Sequence, residues 1–122
     1  LIVYDVCNEE SFEHIKYWHD CIKNATDEDI TIFLLGNKSD LIATEGRAVT
    51  KSEGQKFVRD YNLNGFCECS AKSNHNINDT FKLFYQTIYE KQKSKLEQKT
   101  LERNEQTTIN MNSVNQKRCC DL

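Results

Sequence analysis

Two short strings in this sequence carry side chains able to read a planar heterocycle: Asn37-Lys38-Ser39-Asp40 and Ser70-Ala71-Lys72. Each stands directly after a run of strand-forming residues. Asp40 has two acceptor oxygens and can take two neighbouring N–H donors as a bidentate pair. Guanine offers such a pair, N1–H beside the N2 amino group. Adenine does not, and would leave buried polar groups unpaired, which is how hydrogen-bonding sites discriminate strongly. Asn37 can tie the two loops together and present its amide near N7. The aliphatic stems of Lys38 and Lys72 can cover the two faces of the base. The backbone N–H of Ala71 can donate to O6, its small side chain allowing close approach, and Ser70 can bond across to the Asp40 loop and hold that carboxylate's rotamer. Turn chemistry offers another reading: Asn37 and Asp40 suit a turn after a strand, and Lys72 suits a surface. The two strings together, roughly thirty residues apart and each at a strand end, favour the base site.

Other reactive groups are scattered. The six cysteines stand at positions 7, 21, 67, 69, 119 and 120, none in C-x-x-C spacing. Cys67 and Cys69 flank Glu68 and share one face of a strand, as small buried apolar residues do. No secretory context is visible, so a disulfide framework is not expected. Cys119 and Cys120 differ, because adjacent thiols near a chain end are normally avoided on a surface. His14, His19 and His75 have no ligand constellation around them and read as surface or capping residues. Trp18 reads as helix packing.

The elements that must position these residues follow from hydrophobic period. Leu1-Ile2-Val3-Tyr4 is a continuous apolar run, the pattern of a strand buried on both faces. Asn8 or Ser11 can cap a helix carrying Phe12, Ile15, Trp18 or His19, and Ile22. A polar loop over Asn24–Asp29 precedes a second strand over Ile30–Leu35. Asn37 to Thr50 is irregular. Thr50 with Glu53 fits a capping box opening a helix through Phe57, Val58 and Tyr61. Phe66 to Cys69 is a short third strand. Asn76 to Asp79 opens a last helix with Phe81, Phe84 or Tyr85, and Ile88 as its stripe. This predicts an α/β fold in which three parallel strands alternate with three helices, one side of a doubly wound sheet. Beyond about Arg103 the apolar content is too low to offset ordering, which predicts a disordered tail over Asn104–Arg118.

Composition bounds the function classes. The chain has 122 residues, 38% hydrophobic and 29% charged, no proline and four glycines, which excludes collagen-like and proline-rich proteins. No apolar run is long enough for a transmembrane helix. Residues 1–90 carry a net charge of −6 and residues 91–122 one of +3. An acidic body argues against a nucleic-acid partner, and a basic tail suits an anionic surface. The sequence begins at Leu1 and its one methionine is Met111. With a strand at Leu1–Tyr4, this predicts that the N-terminal part of a larger domain precedes the chain. It also predicts a bare strand edge and marginal stability for residues 1–92 alone.

The residues Leu1-Ile2-Val3-Tyr4-Asp5, Asn8-Glu9-Glu10-Ser11-Phe12, Leu35-Gly36-Asn37-Lys38-Ser39-Asp40-Leu41, Glu68-Cys69-Ser70-Ala71-Lys72 and Cys119-Cys120-Asp121-Leu122 together resemble the C-terminal two-thirds of a Ras-superfamily small GTPase, and within it the Rab branch. The resemblance implies the C-terminal part of a P-loop small G domain over residues 1–92. A hypervariable basic tail over 93–122 would then end in a prenylation motif. It implies GTP and GDP as ligands, with guanine contacts at Asn37, Lys38, Asp40, Ala71 and Lys72 and support from Ser70. Mg²⁺ is expected in the full-length family. No G-x-x-x-x-G-K-[ST] and no D-x-x-G string occurs in the sequence, so its phosphate-handling parts are missing. The chain by itself is therefore expected to be inactive in GTP hydrolysis and to bind guanine nucleotide weakly.

The C-C-x-x ending resembles that of Rab proteins whose two cysteines carry geranylgeranyl groups, and two chains anchor stably where one is marginal. The resemblance implies a switch in vesicle traffic on the cytoplasmic face of intracellular membranes, cycling with the cytosol. Its partners would be exchange factors, GTPase-activating proteins, escort and dissociation-inhibitor proteins, and effectors. Two alternatives remain: a truncated, non-catalytic prenylated interaction module, and another branch of the superfamily.

Overall fold

A computed structural model of the chain describes residues 1–26 and 29–118, with side chains through 103. Three strands form one parallel sheet in the order β1 (Ile2–Asp5), β2 (Phe33–Asn37), β3 (Gly65–Glu68). The register pairs Ile2 with Leu34 and Asp5 with Asn37, then Phe33 with Gly65 and Gly36 with Glu68. Among the described residues five α-helices lie between and after the strands: α1 (Glu9–Glu13), α2 (Ile15–Ala25), α3 (Ile42–Glu45), α4 (Lys51–Asp60) and α5 (Ile77–Arg118). A short 3-10 turn over Ser39–Leu41 precedes α3. The parallel α/β class expected from the alternation is the class observed.

Several expectations are corrected in detail. β1 is buried on one face only: Ile2 and Tyr4 are in the core, while Val3 is 50% exposed. β2 begins at Phe33 and includes Gly36 and Asn37, so Ile30 to Ile32 lead into it instead of forming it. The helix expected across Phe12 to Ile22 is two helices separated at His14, whose own backbone stays near helical (φ −72°, ψ −11°). Asn8 is the cap, its Oδ1 accepting the Ser11 N–H. Asn24 falls inside α2 and not in the loop; Asp27 and Glu28 lie outside the described residues. The Thr50–Glu53 capping box is present with both reciprocal bonds. The backbone of Asn104–Arg118 is described as a continuation of α5. That stretch holds no Gly or Pro, so local backbone bonds continue without a breaker.

The core explains why the sheet is held so firmly at its centre. Ile2, Tyr4, Val6, Ile15, Ile32, Leu34, Val49 and Leu63 form one buried cluster. Tyr4, Phe12, Phe57 and Tyr61 extend it as ring contacts at 4.2–6.1 Å. On the opposite face Phe33 meets Phe84 edge to face at 5.3 Å. Phe84 is thus the inward member of the α5 pair, and Tyr85 is exposed. Glycine is required where rings press on backbone: a Cβ at Gly65 would stand 2.5 Å from the Phe33 ring. The chain divides into two compact units, Leu1–Thr87 and Ile88–Leu122. The first carries the sheet, and the second is described as α5 backbone to Arg118, with Tyr89, Leu96 and Leu101 exposed.

Candidate functional site

Parallel pairing brings the carboxyl ends of the three strands to one side, where such sheets bind ligands. The chain leaves β2 through Asn37-Lys38-Ser39-Asp40 and β3 through Cys69-Ser70-Ala71-Lys72. Backbone bonds join the two exits: Cys69 N–H donates to Gly36 O at 2.8 Å and Ser39 N–H to Cys69 O at 3.1 Å. Side chains then interlock them. Asn37 Oδ1 accepts the Ala71 N–H at 3.1 Å, with Cys69 Sγ at 3.9 Å. Ser70 Oγ donates to Asp40 Oδ1 at 2.5 Å. Ser70 is fully buried and is itself fixed, its N–H donating to His75 O at 3.0 Å and its Oγ accepting the Ser73 N–H at 3.1 Å.

A cavity of about 340 Å³ opens between the loops, lined by Asn37, Lys38, Asp40, Leu41, Ala71 and Lys72. That volume is at the lower end of small-molecule sites. Five of the six residues singled out by type and spacing line it, and the sixth, Ser70, stands behind Asp40. The Ala71 N–H is engaged by Asn37 in this structure, so an incoming acceptor would have to share or displace that bond. Leu41 was not anticipated; the 3-10 turn after Asp40 carries it to the wall.

Lys38 adopts the left-handed region (φ 65°, ψ 32°), uncommon for a residue with a Cβ. Its Nζ lies 2.8 Å from Asp5 Oδ2. Burial alone would push the Asp5 carboxyl up, but the hydrogen bond from Lys38 and the Cys7 N–H outweigh it and hold Asp5 below its ordinary value. The Lys38 ammonium is raised, first by that hydrogen bond and then by the Asp5 charge. Asp5 lies outside both strings that mark the site. The signal that could have found it is register, which sets Asp5 beside Asn37.

The β3 exit has its own brace. Glu68 accepts Arg47 Nη1 and Nη2 at 2.6 and 3.0 Å, and Arg47 Nη1 also donates to Val49 O at 3.0 Å. The Glu68 hydrogen bond raises the Arg47 guanidinium above its ordinary value. Asn76 Nδ2 donates to Glu68 O at 2.7 Å. A polar hollow of about 550 Å³ beside this brace touches Ser39 and Asp40, but its basic groups Arg47 and Lys51 both face Glu68.

Some expected positions differ. His19, expected at the surface, is buried and lies against the Tyr61 ring at 5.1 Å, while Trp18, expected to pack, is 55% exposed. Both residues satisfy the helical spacing, and only the position of Tyr61 selects between them. Cys69 is buried as expected and Cys67 half-buried. Burial pushes the Cys69 thiol up, with Cys67 adding to it. The Tyr4 hydroxyl and His19 Nε2 are buried without a hydrogen-bond partner among the described residues. Burial pushes the Tyr4 phenol far above its ordinary value. Among the described residues no cluster of three or more His, Cys, Asp or Glu could hold a metal ion. Cys119 and Cys120 lie outside the described residues.

Fold and site together define an α/β protein with a parallel sheet and a pocket built from the loops beyond its strands. The chain belongs to the Ras family, whose family model matches residues 1–90. It is similar to Ras-related protein Rab-8A of Bos taurus, 37% identical over 97 residues, covering 80% of this chain and 45% of that protein. Ras-related protein Rab-44 of Homo sapiens is 40% identical over 77 residues, 63% of this chain and 7% of that protein. The Ras and EF-hand domain-containing protein of Danio rerio is 43% identical over 79 residues, 63% of this chain and 12% of that protein. The chain thus spans less than half the length of each of these relatives, and its likeness within the family is to Rab-type members.

Proposed function

We propose that residues 1–92 are the guanine-reading part of a Rab-like small GTPase. The observation that carries this is the interlock of Asn37 with Ala71 and of Ser70 with Asp40 around one 340 Å³ cavity. Asp40 receives base N1–H and N2–H. Its Oδ1 keeps the Ser70 hydroxyl as well, since a carboxylate oxygen accepts more than one bond. Ala71 N–H meets O6 as its bond to Asn37 opens, and Asn37 turns its amide toward N7. The stems of Lys38 and Lys72 close the two faces. Phosphate binding and Mg²⁺ would serve hydrolysis in the whole protein, through strings that this sequence does not hold.

In this reading residues 93–122 are a basic tail, and Cys119 and Cys120 carry geranylgeranyl groups that anchor the protein to intracellular membranes. The whole protein would act as a GTP/GDP switch in vesicle traffic, served by exchange factors, GTPase-activating proteins, escort and dissociation-inhibitor proteins, and effectors.

The direct test is a titration of the ¹⁵N-labelled full chain with guanosine and with adenosine. Guanosine should shift the amides of Asn37 to Leu41 and of Ala71 and Lys72, and adenosine should not. Asp40→Asn should weaken guanosine by about 1.5–3 kcal/mol, the worth of hydrogen bonds to a charged group. Equal responses to both nucleosides would refute the base reading. Turnover of GTP by the purified chain would refute the non-catalytic alternative.

A further inference from the structure

We infer that Asp5 is a positioning residue for the base pocket: its carboxylate tethers Lys38 so that the lysine stem stands as a fixed wall of the cavity. This rests on the base-pocket reading above and adds to it a residue outside both motifs.

The two oxygens of Asp5 have separate partners. Oδ1 accepts the Cys7 N–H at 2.9 Å, closing the turn after β1, and Oδ2 faces Lys38 Nζ at 2.8 Å. The backbone of Asp5 is anchored independently. Its N–H donates to Ser11 Oγ at 2.9 Å, and Ser11 in turn donates through Oγ to Asn8 O at 2.7 Å. Asp5 also sits in register beside Asn37, next to the lysine. The carboxylate is therefore a fixed post, three-quarters or more buried (side chain 19% exposed), whereas the lysine it holds is 54% exposed.

A lysine that exposed would ordinarily sample many rotamers. Here both ends are restrained. The left-handed backbone of Lys38 sets the direction in which the side chain leaves, and Asp5 fixes where its ammonium ends. Lys38 borders the cavity together with Asn37, Asp40 and Lys72, and its four methylenes run between those two restrained points. A planar base sliding in meets a wall already in place, so less side-chain freedom is lost on binding. The tether also occupies the ammonium with a protein carboxylate, leaving the apolar stem as the surface offered to the ring.

The test uses the full chain, with guanosine as probe. Asp5→Asn keeps an oxygen for the Cys7 turn and removes the charge. It should weaken guanosine about three- to tenfold, the effect of freeing one rotamer-rich side chain. Lys38→Met, which keeps an apolar stem without the ammonium, should weaken it to a similar extent. Asp5→Asn added to Lys38→Met should then have little further effect, because the pair acts as one unit. A merely structural role for Asp5 would give the same loss in both backgrounds, and that result would overturn the proposal. In the free chain, ¹³C relaxation of the Lys38 ε-methylene should show order that Asp5→Asn abolishes; a mobile ε-methylene in the wild type would also overturn it. Wild-type binding with Asp5→Asn within twofold would sink the tether alone. No guanosine response in the wild type would sink the base-pocket reading, and the tether with it.

Discussion

The smallest unit of this site is the bond from Ser70 Oγ to Asp40 Oδ1. It joins a buried hydroxyl to a carboxylate on a different loop, so it fixes both a rotamer and a loop spacing. Ser70→Ala should destabilise the fold by about 1–2 kcal/mol, because the Ser73 N–H also loses its acceptor. Urea denaturation checks the stability, and the ratio of guanosine to adenosine response should fall in parallel. Asp5 gives a pH signature. Its carboxyl is held below the ordinary 3.8, so its contribution is fully present above that value and is lost as pH falls through the lower folded value. The stability gap between wild type and Asp5→Asn should therefore be open at pH 5 to 7 and close below about pH 3.8. Paired urea midpoints across that range would show it. Asp40, Ser70 and Lys72 were legible from residue type because base chemistry demands those groups. Asp5 was not, because its role depends on which strand lies beside β2.

At the scale of elements, close packing decides more than propensity. A Cβ at Gly54 of α4 would lie 2.6 Å from Phe66 Cε2 and 2.7 Å from Cζ. Alanine gains up to about 1 kcal/mol of helix propensity over glycine, but overpacking a core typically costs about 1–3 kcal/mol. Gly54→Ala should thus lower stability, read as a lower thermal midpoint. Thr50→Ala removes the cap of the same helix and should cost about 1 kcal/mol. The capping box was readable because it is local, four residues with a fixed pattern. The start of β2 was not. Ile30 to Ile32 have strand-like side chains, yet the register with β1 and β3 begins only at Ile2–Leu34 and Phe33–Gly65. Likewise the spacing on α2 allowed either Trp18 or His19 inward, and the ring of Tyr61, far along the chain, selected His19.

Across the whole molecule, charge and chemistry are divided. The acidic residues 1–90 coincide with the Ras-family match, and the basic residues 91–122 end in Cys119-Cys120-Asp121-Leu122. In the proposed reading the native protein should carry geranylgeranyl groups on both cysteines. Mass spectrometry of protein isolated from its own cells should show two additions, and unmodified thiols at both positions would refute the anchor. Cys119→Ser with Cys120→Ser should shift the protein from the membrane fraction to the soluble one. One lipid chain binds only marginally, so each single substitution should give partial release.

The sequence by itself determined the alternation of strand and helix, the parallel class and the six residues clustered at the strand ends. Those properties are carried by local side-chain chemistry and period. Only the tertiary structure decided that β1 is covered on one face, that Asn37 spends its carbonyl oxygen on Ala71, and that Asp5 holds Lys38. Each of these depends on register and long-range approach. Such contacts form between segments some thirty residues apart, where no periodicity in one segment records the position of the other.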